Sequence, residues 1–219
     1  MKTTYWILAV TLILVILNLI LIKNIVSLRE YNTEMNNELK KAKDWNQKLD
    51  IIRINKVYEE KSEDLQLPQL FLLDAASNFF FIDKKLPSQK HLVLYISESN
   101  CEDCIRHALD GLRNYTKDIG IQNIIILTNY VNQRHYQAFQ RTLDLQVISY
   151  NVNGQKLNLP VEILHKPFFF ILDTDLSCRQ VFLPAKEIED YTARYLRDIS
   201  KQHWKKENQS DQPLQKQAS

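Results

Sequence analysis

The chain has 219 residues and a formal net charge of +2, a near balance that points away from nucleic acid as a partner. Its three glycines, Gly111, Gly120 and Gly154, are too dispersed to build a phosphate-cradling loop, which excludes the nucleotide-binding classes that need one. Three cysteines, Cys101, Cys104 and Cys178, do not describe a disulfide-stapled mini-domain; they fit one redox or metal pair plus a spare thiol.

Residues 1–23 open the chain with an uncharged stretch between Lys2 and Lys23, about twenty residues and long enough to cross a hydrocarbon core of roughly 30 Å. No small-residue cleavage site follows, so residues 3–22 read as an uncleaved transmembrane signal anchor, with Tyr5 and Trp6 suited to one interface. Lys2 flanks one side and Lys23 and Arg29 the other, so charge alone does not orient it. Residues 24–64 lack proline and glycine and carry Leu28, Tyr31, Met35, Leu39, Ala42, Trp45, Leu49 and Ile52 at steps of three and four. This is a helical stalk continuing the anchor, and a parallel coiled-coil homodimer is its sharper reading.

Leu67-Pro68 ends the helix. Leu70–Leu73 and Phe79–Ile82 then read as a hairpin around the turn from Asp74 to Asn78. The strand His91–Ser97 runs into Cys101-Glu-Asp-Cys104 and a helix to about Lys117. Asn123–Thr128 is a buried strand, Asn132–Leu143 a helix and Leu145–Tyr150 a shorter strand, followed by a loop over 151–159. Phe168–Asp173 and Arg179–Leu183 pair antiparallel across a polar turn. A last helix from about Ala185 to His203 buries Ile188, Tyr191, Tyr195 and Ile199, and 204–219 form a disordered tail. The runs Phe79–Phe81 and Phe168–Phe170 are expected in the core, on strands buried on both faces. The order predicts an α/β fold: a mainly parallel sheet with helices on both faces, βαβ first and ββα last.

The Cys101-Glu102-Asp103-Cys104 segment falls where a strand ends and a helix begins. Two intervening residues let the first helical turn bring both sulfurs within disulfide reach, and a helix N-terminus favours the thiolate of the first cysteine. A redox pair, a structural disulfide, two inert thiols and a zinc site with His107 are the readings open here, and no second Cys/His pair completes a tetrahedron. His107 is expected in solvent on its helix, His165 in a solvated loop with the groove as its other reading, and Cys178 half-buried in a turn with a regulatory or crosslinking thiol as its other reading.

This order of elements, with Lys166-Pro167 leading a strand, hairpin and terminal helix, is similar to the thioredoxin superfamily over about Leu65 to His203. The hairpin from Leu67 to Phe81 resembles that of membrane-anchored TlpA/ResA-like thiol-disulfide proteins. The resemblance implies a thioredoxin-like domain over 65–203, a central mixed sheet flanked by helices and preceded by a β-hairpin. It implies a redox-active Cys101–Cys104 disulfide, Cys101 attacking and Cys104 resolving, with no separate cofactor and no metal. Pro167 would be a cis-proline beside the disulfide, and Asn100, Glu102, Asp103 and Lys166 would line the substrate groove.

The chain departs from the family's pattern in having Asn100 where tryptophan precedes the first cysteine, and two acids between the cysteines. It also has no acid inside the strand 91–97, which leaves Glu98 as the nearest proton acceptor. Glu102 and Asp103 oppose a thiolate, while the helix terminus and Lys166 favour it, so the couple is expected to be mildly reducing. The function implied is a membrane-tethered oxidoreductase, a reductant acting on protein thiols and disulfides. A non-catalytic anchored binding module is the alternative. A peroxidase of the peroxiredoxin kind would need a threonine and a proline ahead of its cysteine, and Ser97-Glu-Ser-Asn100 has no proline. A cysteine pair behind one span faces an oxidising compartment, which in a bacterium is the periplasmic side of the inner membrane.

Overall fold

The computed structural model describes residues 2–86 and 89–204; the expected tail lies, from 205 on, outside the described residues. Two compact units are present, Met1–Asp50 and Ile51–Ser219, and helix α1 (Lys2–Ser62) supplies the described part of the first and the start of the second. In the first unit α1 is long and apolar enough to cross a membrane, and its side chains from Leu12 to Val26 are exposed. The stalk stripe of Leu28, Tyr31, Met35, Leu39, Trp45 and Leu49 is exposed as well.

The second unit is built on one seven-stranded sheet. Its strands are β1 (Phe71–Leu73), β2 (Phe79–Phe81), β3 (His91–Ser97), β4 (Ile124–Asn129), β5 (Ile148–Asn151), β6 (Phe168–Leu172) and β7 (Cys178–Phe182). They lie in the order β2-β1-β5-β4-β3-β6-β7. Helices α2 (Ile82–Lys85), α3 (Glu102–Ile119), α4 (Gln133–Thr142) and α5 (Tyr191–His203) complete the unit. β3 pairs parallel with β4, and β4 with β5, whereas β6 runs antiparallel to β3, β7 to β6, and β1 to both β2 and β5. The sheet is mixed, as the resemblance implies, and not mainly parallel as the element order alone suggests, because only the β3-α3-β4-α4-β5 stretch has the long crossovers that parallel pairing requires.

Alternation along the strands divides the core. Leu92, Leu94 and Ile96 of β3 join Phe169, Ile171, and Ala108 and Leu112 of α3 on one face, where Leu196 and Ile199 of α5 and Phe139 of α4 also pack. Val93, Tyr95, Phe168 and Phe170 point to the other face. There Tyr58 near the end of α1, Ile82 of α2 and the 3-10 turn Pro160–Leu164 cover them. α3 and α5 approach closely at Gly111, where an added Cβ would meet Thr192 Cγ2 at 3.0 Å. α3 stops at Gly120, whose φ of 88° lies in the region open to glycine.

The last three turns of α1 belong to this unit, earlier than the start expected at 65. Asn55, Glu59 and Ser62 are buried. Leu183 N–H donates to Glu59 Oε1 at 2.8 Å, Gln180 and Val181 N–H donate to Glu63 at 2.6 and 3.2 Å, and Val161 N–H donates to Ser62 Oγ at 3.0 Å. The carboxylates thus occupy donors on and just beyond β7, an edge strand whose first residue already pairs with the 64–65 segment: Asp64 N–H donates to Cys178 O and Cys178 N–H to Leu65 O, both at 2.8 Å.

Two expectations are corrected. Phe79 and Phe81 are exposed and Phe80 half-buried, because β2 is the opposite edge strand and pairs with β1 alone. The final helix begins at Tyr191 rather than near Ala185: Asp190 takes a left-handed conformation with φ 57°, so Ile188 keeps helical spacing without being helical.

Candidate functional site

β3 lies between its parallel neighbour β4 and the antiparallel β6 and delivers the chain to the rim of the sheet at Ser97. Asn100 closes the turn that follows: its Oδ1 accepts from Ser97 N–H at 2.8 Å, and its own N–H donates to Ser97 O at 3.0 Å. Asn100 therefore holds the loop by two hydrogen bonds. Cys101 is the N-cap of α3, and its Sγ accepts from Cys104 N–H at 3.1 Å. Cys101 and Cys104 form a disulfide. Cys101 is exposed and Cys104 half-buried, so the outer sulfur belongs to the residue nearest solvent.

The charges between the cysteines are not left alone. Arg106 Nη2 lies 3.1 Å from Asp103 and 3.4 Å from Glu102, and Lys186 Nζ lies 3.6 Å from the second oxygen of Asp103. Sequence reasoning weighed the acids but passed over these cations. Arg106 was visible at i+3 and i+4 on the same helix. Lys186, from the loop before α5, carried no local signal.

Beside the turn, a groove of about 850 Å³ opens at the carboxyl ends of β3 and β4, where open α/β sheets place ligands. Ser97, Glu98, Ser99 and Asn100 form one wall, and Pro160, Glu162, Ile163, His165 and Lys166 another. A polar network fixes its floor. Tyr95 donates to Glu162 Oε1 at 3.2 Å and accepts from Asn129 Nδ2 at 3.0 Å. Glu162 also accepts from Leu157 N–H at 3.2 Å and Leu159 N–H at 3.1 Å, while Asn129 holds Gly154 N–H at 2.7 Å. Burial is the main reason the Tyr95 phenol is pushed well above its ordinary range, so it stays a neutral donor. Glu162 and Tyr95 were not singled out from sequence, because their meeting depends on a loop folding back 67 positions away.

The expected site residues fall in three groups. Asn100, Glu102, Asp103, Cys101 and Cys104 lie together at the start of α3. Lys166 and His165 meet that end of the sheet from the other chain segment, with His165 Nδ1 3.2 Å from Ser99 Oγ. Pro167 is buried at the foot of β6, but its peptide bond is trans, contrary to the cis isomer expected. His165 supplies the reversal instead: it is left-handed at φ 49°, ψ 39° and turns the chain into β6. His107 is also corrected, being half-buried between α3 and α5 with Nε2 3.0 Å from Thr192 Oγ1. Cys178 is fully buried as the first residue of β7, and that burial pushes its thiol far above the ordinary range. Glu98, the nearest expected proton acceptor, is exposed on the groove wall.

Fold and site together define a mixed α/β domain carrying an exposed Cys-x-x-Cys disulfide at a helix N-terminus. The chain is similar in structure to a thiol:disulfide interchange protein from Bacteroides sp., at 12% identity over 68% of this chain and 95% of that one, TM-score 0.49. It is also similar to an uncharacterized thioredoxin-like protein from Porphyromonas gingivalis, at 10% identity over 64% and 92%, TM-score 0.48. A third similarity is to the thioredoxin domain of a thiol-disulfide oxidoreductase from Bacteroides vulgatus, at 12% over 63% and 97%, TM-score 0.45. No family model matches the sequence, and no curated protein matches it.

Proposed function

We propose that the protein is a membrane-tethered thiol-disulfide oxidoreductase that reduces disulfides of other proteins. The observation carrying this reading is the exposed Cys101–Cys104 disulfide at the first turn of α3. In the reduced form, the Cys101 thiolate attacks one sulfur of a substrate disulfide, and the other substrate sulfur leaves as a thiolate. The Cys104 thiolate then attacks Cys101 Sγ and expels the second substrate sulfur, which takes up a proton. Two electrons pass to the substrate, and the Cys101–Cys104 disulfide is restored. The helix N-terminus, Arg106 and Lys186 favour the attacking anion, whereas Glu102 and Asp103 oppose it, which keeps the couple from being a strong oxidant.

An insulin-reduction assay with a thiol donor tests the reading, combined with a Cys104→Ser variant. Turnover by the natural chain and mixed disulfides trapped on Cys101 of the variant are expected. No turnover and no trapped protein would leave the fold as a binding module.

The apolar start of α1 supports single-pass anchoring, and the disulfide supports a periplasmic position for the second unit. Thiol labelling in intact cells reads both sidedness and redox state. Leu28/Tyr31, Met35, Ala42/Trp45 and Leu49/Ile52 fall on a and d positions of one heptad register, which supports pairing of two stalks. Sedimentation of the detergent-solubilised chain tests it, with a monomer excluding the dimer.

A further inference from the structure

The groove beside Ser97–Asn100 differs in charge from the disulfide next to it. Three lysines line it: Lys61 from the end of α1, Lys156 from the loop after β5, and Lys166 ahead of β6. Among the described residues none of the three has a carboxylate within ion-pair distance, although eleven such pairs occur elsewhere. Lys61 lies only over the Tyr58 ring, at 5.6 Å. His165 adds a fourth nitrogen base. Against them stand Glu98, which is exposed, and Glu162, whose oxygens already accept from two backbone N–H groups and the Tyr95 hydroxyl. With three lysines against two carboxylates the lining is net positive, which favours an anionic occupant. Leu159, Pro160 and Ile163 give the same cavity an apolar wall.

We infer that this groove takes an acidic, partly apolar segment of the substrate protein next to the disulfide to be reduced. This rests on the oxidoreductase reading and names its substrate class. The groove starts at the residues leading into Cys101, so a chain seated along Asn100 brings its neighbouring cysteine to the Cys101 sulfur. The paired state of Glu102 and Asp103 fits this arrangement: with Arg106 and Lys186 in contact, they repel an acidic segment less than bare carboxylates would.

The test uses the reduced full chain in detergent and two oxidised peptides with the same disulfide, flanked by Asp and Glu in one and by Lys in the other. At low salt the acidic peptide is expected to react about tenfold faster, the scale of a steering effect from a few charges. That ratio should fall toward one in about 0.5 M salt, where screening is short-ranged. It should also fall toward one in a Lys61→Gln, Lys156→Gln, Lys166→Gln variant. Dithiodipyridine, a small uncharged disulfide, separates the two readings. If it is not reduced, the oxidoreductase reading falls and the groove assignment with it. If it is reduced while the peptides react equally, or the basic peptide faster, the groove assignment alone is overturned. A preference for the acidic peptide that survives in the lysine variant overturns it too.

Discussion

Two pairs of acids in this molecule do opposite things. Glu102 and Asp103 stand exposed at the first turn of α3, touching Arg106 and Lys186. Glu59 and Glu63, one turn apart at the end of α1, spend their oxygens on backbone N–H groups of Gln180, Val181 and Leu183. At the helix tip the carboxylates are solvated charges beside the disulfide. At the sheet edge they continue the pairing that Asp64 and Leu65 begin at Cys178, supplying acceptors to the backbone farther along β7. Exposure decides which role a carboxylate takes. A solvated ion pair is worth little, whereas a buried donor that loses its acceptor bears its full desolvation cost.

The largest expected effect follows at Glu59. Glu59→Ala strands the Leu183 N–H in a buried position and should lower unfolding free energy by about 1–3 kcal/mol. Glu59→Gln keeps an acceptor and removes the buried charge, so it should cost much less. Glu102→Ala, at the exposed site, should stay within about 0.5 kcal/mol. Denaturation of the detergent-solubilised chain measures all three. Equal losses for Glu59→Ala and Glu102→Ala would break the contrast.

A pH series sharpens the same contrast. Burial raises the Glu59 carboxyl above its ordinary value, outweighing the Leu183 N–H and Lys56, which lower it. The folded state therefore holds that proton more tightly than the unfolded chain does. The contribution of Glu59 to stability is greatest in acid and is lost as pH rises from the ordinary carboxyl value through the raised one. The difference in stability between the natural chain and Glu59→Gln should drift in that direction across this window. A drift of opposite sign would mean that the hydrogen bond, not burial, governs the group.

How far the sequence revealed these features depended on how local their causes are. The apolar run 92–96 and the cysteines after it marked β3 and the start of α3, since each rests on neighbours within a few residues, whereas the disulfide stayed one of several readings of the pair. The turn from Asp74 to Asn78 was equally legible: Asp74 Oδ1 accepts from Asn78 N–H at 2.9 Å, a contact inside the turn itself. Glu59 could not be read as an edge acceptor, because its partner lies 124 positions away and the stalk's helical pattern runs through it without a break. The trans bond at Pro167 escaped for a similar reason. The local Lys-Pro pattern leaves the isomer open, and the left-handed His165 before it, at the end of a 3-10 turn, changes the approach of the chain.

The smallest expected effect concerns the exposed acids and their cations. Arg106→Ala or Lys186→Ala removes positive charge near Cys101, destabilises the thiolate and should make the reduction potential more negative. Glu102→Gln removes negative charge and should shift it the other way. Exposed charge pairs contribute at most about 1 kcal/mol, so each shift should be about 5–20 mV for this two-electron couple. Equilibration against glutathione buffers at low salt resolves shifts of that size, and added salt should erase them. Shifts of the predicted sign that vanish with salt would mark Glu102 and Asp103 as solvated modulators. A shift that persists in high salt would mean these acids contact the sulfurs directly, and the contrast with Glu59 and Glu63 would then be one of degree rather than kind.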